Sequence, residues 1–183
     1  MKTYLSILRG INVSGTKLIK MADLKLLYES LGYRNVKTYI QSGNVIFDSE
    51  SNKDIAKSIE KAITEKYNFE VPVILRTAEE LKDIVNKNIF IADKDTDVTK
   101  LHVTFMEEEP SYANIDKIKD IDHLPDKFLI SGKEINVYCP NGYGKTKINN
   151  NYFENKLKVS CTTRNWRTLN ELLNMIEIIN LNN

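Results

Sequence analysis

The chain has 183 residues, 42% of them hydrophobic, with a formal net charge of +1. That length suits one large domain or two small ones with an ordinary core. The near-zero charge excludes a polyelectrolyte binder, and two cysteines exclude a disulfide framework.

Residues 3–9, T-Y-L-S-I-L-R, are apolar and β-branched but alternate poorly, and predict a central strand. Gly10 to Lys20 is a loop with two glycines. Leu24, Leu27, Tyr28 and Leu31 recur at helical spacing and predict a helix over 21–31, stopped by Gly32. Residues 35–40 and 44–48 are two strands of a hairpin. Its turn holds Gln41, Ser42 and Asn44 around Gly43, more polar groups than turn geometry needs. A second helix is expected over 52–67, with Ile55, Ile59 and Ile63 on one face, and a fourth strand over 71–75. The order is β-α-β-β-α-β, a split ferredoxin-like unit.

Thr77 and Glu80 have capping-box spacing ahead of a third helix carrying Leu81, Ile84 and Val85. Residues 92–100 are polar and charged and read as a linker. Strands follow at 101–106, 127–131 and 134–139, with a short helix marked by Ile115, Ile118 and Ile121 between the first two. A helix at 150–157, a strand at 159–163 and a closing helix at 168–179 complete a second β-α-β-β-α-β run. The expected fold class is α+β, with two ferredoxin-like subdomains, each followed by a helix. The expected boundaries are 1–76, a helix and linker over 77–100, and 101–183. Arg76-Thr77-x-x-Glu80-Leu81 matches Arg167-Thr168-x-x-Glu171-Leu172, which suggests a repeat, although capping boxes recur in any α+β protein.

Charge is unevenly placed. Residues 1–47 hold seven Lys/Arg against two acids, residues 48–139 hold thirteen against twenty, and residues 140–170 hold six against one. Topology brings polar stretches together within these basic segments. Arg9, Gly10 and Asn12 at the exit of the first strand should lie beside Gln41, Ser42 and Asn44. An Arg with amides and exposed backbone N–H groups suits a carboxylate or phosphate. The alternative is that Arg9 and Asn12 cap the following helix and brace the hairpin. In the second half, Tyr143, Lys145 and Lys147 should approach Arg164, Asn165 and Trp166, a corner suited to phosphate and a stacked ring. The alternative is Trp166 as an apolar staple before a Thr168 cap.

Gly144-Lys145-Thr146 is not a phosphate loop, because Cys139 stands where that motif needs glycine. His102 and His123 have no Cys or Ser partner at a recognisable spacing, and both read as incidental. No cofactor and no metal site are expected, and no aromatic RNA-recognition signature is present. The N-terminus lacks a secretory h-region and no apolar run reaches membrane-span length, so a cytoplasmic protein is the expectation.

The strings L-R-G-I-N-V-S-G (8–15), T-Y-I-Q-S-G-N-V-I-F (38–47) and T-T-R-N-W-R-T (162–168) resemble a bacterial family, domain of unknown function 1697. The resemblance runs nearly end to end. It implies two ferredoxin-like halves in a cytoplasmic protein, and it implies no activity, cofactor or catalytic residue. Three functions compete. One is binding of a small anionic ligand, a nucleotide or phosphorylated metabolite, with or without catalysis. The second is a nucleic-acid-binding module, which near-zero charge disfavours. The third is a non-catalytic interaction protein whose polar strings join the two halves.

Overall fold

A computed structural model describes residues 1–51 and 53–181. Asn52, the first residue of the expected second helix, lies outside them. The first run is β1 (Lys2–Leu8), α1 (Met21–Ser30), β2 (Arg34–Tyr39), β3 (Asn44–Ser49), α2 (Ile55–Tyr67) and β4 (Val73–Thr77). After α3 (Ala78–Asn86) come two 3-10 turns, Ile89–Ala92 and Val98–Lys100. The second run is β5 (Leu101–Met106), α4 (Tyr112–Asp116), β6 (Lys127–Ser131), β7 (Glu134–Tyr138), α5 (Asn150–Leu157) and β8 (Cys161–Asn165), closed by α6 (Trp166–Leu181). Two antiparallel four-stranded sheets result, ordered β2-β3-β1-β4 and β6-β7-β5-β8. The fold is α+β, and each sheet has ferredoxin-like strand order. By compactness the chain divides into Met1–Lys82 with Glu171–Asn183, called unit 1, and Asp83–Asn170, called unit 2.

In unit 1 the helix-side core gathers Tyr4, Leu8, Val45 and Phe47 from the sheet against Leu24, Tyr28, Ile55, Ile59 and Ile63. The Tyr28 and Phe47 rings meet edge to face at 5.3 Å between ring centres. The Tyr28 and Ser6 hydroxyls bond each other at 2.8 Å, so the one polar side chain that β1 buries on this face is satisfied. Leu5 and Ile7, on the opposite face of β1, are also fully buried. This two-sided burial explains the poor alternation of the strand: neither face needs polar residues. In unit 2 the corresponding core joins Met106, Ile135, Val137 and Cys161 to Ile118, Phe153 and Leu157. Each such side chain, fully buried, contributes about 1.5–3 kcal/mol.

β4 and β8 both lie two residues later than the sequence predicts. Each runs directly into its helix without a loop. Thr77 makes a reciprocal capping box: its N–H donates to Glu80 Oε2 at 2.7 Å, and its Oγ1 accepts from the Glu80 N–H at 3.2 Å. At the second exit the cap is Asn165, whose Oδ1 accepts from the Thr168 N–H at 2.8 Å. Helix α6 therefore starts before the expected Thr168, and the matched exits are Arg76-Thr77 and Arg164-Asn165. Arg76 and Arg164 are each the penultimate residue of their strand, buried, and each donates from Nη1 to the carbonyl of the preceding residue, at 2.7 and 2.9 Å. The internal repeat is real at this point but offset by three residues from the sequence match.

Candidate functional site

The two unit 1 strings are adjacent, as antiparallel topology requires. The Leu8 N–H donates to the Gly43 carbonyl at 2.8 Å, fastening the end of β1 to the hairpin turn. Left-handed backbone is concentrated here: Gly10, Asn12, Ser14, Gly15 and Lys17 in the loop, and Ile40 and Gly43 in the turn, all have positive φ. Asn12 spends its whole amide on backbone. Its Nδ2 donates to the Ile19 and Gln41 carbonyls at 3.0 and 2.8 Å, and its Oδ1 accepts from the Ile19 N–H at 2.9 Å. Asn44 is fully buried and donates from Nδ2 to the Tyr39 carbonyl at 3.2 Å and to Ser42 Oγ at 2.9 Å. Asn12, Ser42 and Asn44 thus hold loop and turn together, leaving the exposed Gln41 and the half-buried Arg9 facing outward in part.

Ile40 is the sharpest outlier of the group. A β-branched residue at φ 49° is crowded against its own backbone. Its side chain is 48% exposed, so packing does not demand isoleucine. Ile40→Asn, which tolerates this conformation, should raise the unfolding free energy by about 1 kcal/mol in urea titration. Unchanged or reduced stability would show that the turn is relaxed.

In unit 2 the expected corner does not assemble. Tyr143 reaches β8 and donates from its hydroxyl to Thr163 Oγ1 at 2.9 Å. Thr163 in turn donates to Asn150 Oδ1 at 2.6 Å and shares a bond of 2.6 Å with Thr104 Oγ1. The His102 ring stacks on Tyr143 at 4.6 Å. Burial pushes the Tyr143 hydroxyl above its ordinary pKa and His102 below its own, so both stay neutral near pH 7. Arg164 follows Thr163 in the strand, so its side chain projects from the opposite face. It is buried, donates to Thr162 Oγ1 at 3.0 Å, and is pushed by burial down to about 10. Asn165 is the helix cap, and Trp166 is a buried first residue of α6. None of these three is among the hydrogen-bond or ring partners of Tyr143 given above.

Lys145 and Lys147 go elsewhere. They line an open cleft of about 450 Å³ with Asp122, His123, Leu124, Pro125, Asp126, Asn141 and Ile148. Here the loop after β7 faces the segment leading into β6. Both lysines are exposed, and neither ammonium has an ion-pair or hydrogen-bond partner among the described residues. The two carboxylates are tied to the chain. Asp126 Oδ2 accepts from Thr146 Oγ1 at 2.6 Å, and Asp122 Oδ1 accepts from the Leu124 N–H at 2.9 Å. His123 Nε2 bonds the Tyr152 hydroxyl at 2.8 Å and packs its ring edgewise on that ring. The sequence reading passed over His123, since no linear motif links it to residues some twenty positions away. Among the described residues no group of three or more His, Cys, Asp or Glu is placed to hold a metal ion. Among them, too, no helix is long and apolar enough to cross a membrane.

Comparison with known proteins agrees on the fold. No curated protein matches the chain significantly. A solved structure, that of the conserved bacterial protein SP0830 from Streptococcus pneumoniae, superposes with a TM-score of 0.75 at 22% identity, covering 95% of this chain and 98% of that one. At that identity the likeness speaks for the fold alone. A family described as "Protein of unknown function (DUF1697)" matches residues 1–136, well over half the chain and both strings of the strained unit 1 edge, and the chain belongs to that family.

Proposed function

We propose that the protein binds a small anionic ligand, of the nucleotide or phosphorylated-metabolite class, between Lys145 and Lys147 in the unit 2 cleft. The observation that carries this reading is the pair of unpartnered ammonium groups over a cleft whose carboxylates are already hydrogen-bonded. The cleft volume falls in the range of small-molecule sites, about 300–1,000 Å³. A phosphate oxygen gains charge-assisted hydrogen bonds from each ammonium. The Asn141 amide adds a neutral donor, and Leu124, Pro125 and Ile148 offer apolar contact for the body of the ligand. Stacking on Trp166 has no part, because that ring is buried. Exposed ammoniums are well solvated, so the affinity expected is micromolar to millimolar.

Calorimetric titration with inorganic phosphate, AMP and ATP tests this. We expect binding that weakens with salt. The Lys145→Ala/Lys147→Ala double variant should bind at least about tenfold more weakly while its unfolding midpoint stays unchanged, since neither side chain bonds the protein. Binding by the double variant equal to that of the parent would reject the site.

A further inference from the structure

Unit 1 contains a separate cleft of about 430 Å³, whose wall includes Leu18, Lys20, Met21, Asp23, Gln41 and Tyr67. Lys20 precedes α1 and Asp23 lies in its first turn. Neither the Lys20 ammonium nor the Asp23 carboxylate has an ion-pair partner among the described residues. Tyr67 adds a second unmet demand. Its hydroxyl is shielded from solvent and has no hydrogen-bond partner. The buried hydroxyls of Tyr28 and Tyr143, by contrast, are both bonded. Burial and the nearby Asp23 charge hold the Tyr67 hydroxyl above its ordinary pKa, so it remains a donor. The Lys66 ammonium stands 5.5 Å from the centre of the Tyr67 ring and donates to the Asp23 backbone carbonyl. On the rim, Leu18 is 65% exposed although apolar.

We infer that this cleft binds a small zwitterion of the α-amino-acid class with an apolar side chain. The ligand carboxylate meets Lys20 and accepts the Tyr67 O–H. Its ammonium pairs with Asp23. Its side chain lies on Leu18 and Met21. A simple anion would leave Asp23 facing like charge, and a simple cation would leave Lys20 and Tyr67 unanswered. Asp23 at a helix N-terminus is favourable without any ligand, but that role accounts for neither the unpaired lysine nor the orphaned hydroxyl.

The test is calorimetric titration of the full chain with L-leucine and L-methionine, and with the carboxylic acid and the amine that each carry only one of leucine's two charges. The amino acids should bind, and each one-charge analogue should bind at least about tenfold more weakly. Asp23→Asn and Tyr67→Phe should each weaken amino-acid binding by about tenfold. Tyr67→Phe should unfold at no lower temperature, because it deletes a hydroxyl that bonds nothing. The Lys145→Ala/Lys147→Ala variant should bind amino acids normally, so this inference and the anion site stand or fall separately. No binding of either amino acid at millimolar concentration would overturn it, as would equal binding of leucine and its carboxylic-acid analogue or unaltered binding by Tyr67→Phe.

Discussion

Gly43→Ala should lower the unfolding free energy by about 3 kcal/mol, the sum of a left-handed backbone and an overpacked contact. Gly43 has φ 75°, and a Cβ there would lie 2.7 Å from Ile11 Cδ1 and 2.8 Å from Leu8 Cβ. The Ile11 methyl ends a flexible side chain, but Leu8 Cβ is fixed by the backbone of β1. Both residues are almost fully buried and have no space to retreat into. The same backbone segment carries the Gly43 carbonyl that receives the Leu8 N–H, so any shift loosens the hairpin from the central strand. Gly132 provides the control. It also has positive φ, at 58°, but a Cβ there meets nothing within 4 Å. Gly132→Ala should cost only about 1 kcal/mol. Urea titration of both variants separates the terms. Equal costs would mean that packing against β1 contributes nothing.

Asn12→Ala should cost about 2–3 kcal/mol, because it removes three hydrogen bonds and places alanine, which tolerates left-handed backbone less well than asparagine, at this position. The Asn12 φ is 55°, and its amide links the Ile19 and Gln41 main chains. Asn12→Gly keeps the backbone angle and should recover about 1 kcal/mol of that loss. Asn12→Asp should be worse than glycine. It keeps the acceptor for the Ile19 N–H but turns a lone-pair oxygen toward two carbonyls. Ligand affinity in the unit 2 cleft should not move in any of the three. If Asn12→Ala unfolds with the parent, the amide is not the brace described here.

The fold was readable because apolar spacing is local. Leu24, Leu27 and Tyr28 mark α1, and Ile55, Ile59 and Ile63 mark α2, whatever else the chain does. The two β-α-β-β-α-β runs and the adjacency of Asn12 to Gln41 follow from connectivity. What escaped was set by side-chain direction. Topology predicted that Tyr143 and Arg164 approach one strand end. It could not show that Thr163, paired with Tyr143, sends the next residue to the other face. The capping residue of α6 was misread because Thr168 with Glu171 imitates the Thr77–Glu80 box, while Asn165 gives no comparable pattern. Asn12 and Asn44 had the composition of ligand-binding residues, yet their amides serve left-handed backbone. His123 and the unpaired charges of Lys20 and Asp23 depend on loops meeting in space, which no spacing rule encodes.

The most direct test of the anion site is a phosphate titration followed by backbone amide NMR. The account predicts saturable shifts concentrated at Asn141, Lys145, Lys147 and the 122–126 segment, with the amides of the Asn12 loop and Gln41 turn unmoved. Shifts scattered over the surface, or centred on the Arg9–Gln41 edge instead, would contradict it.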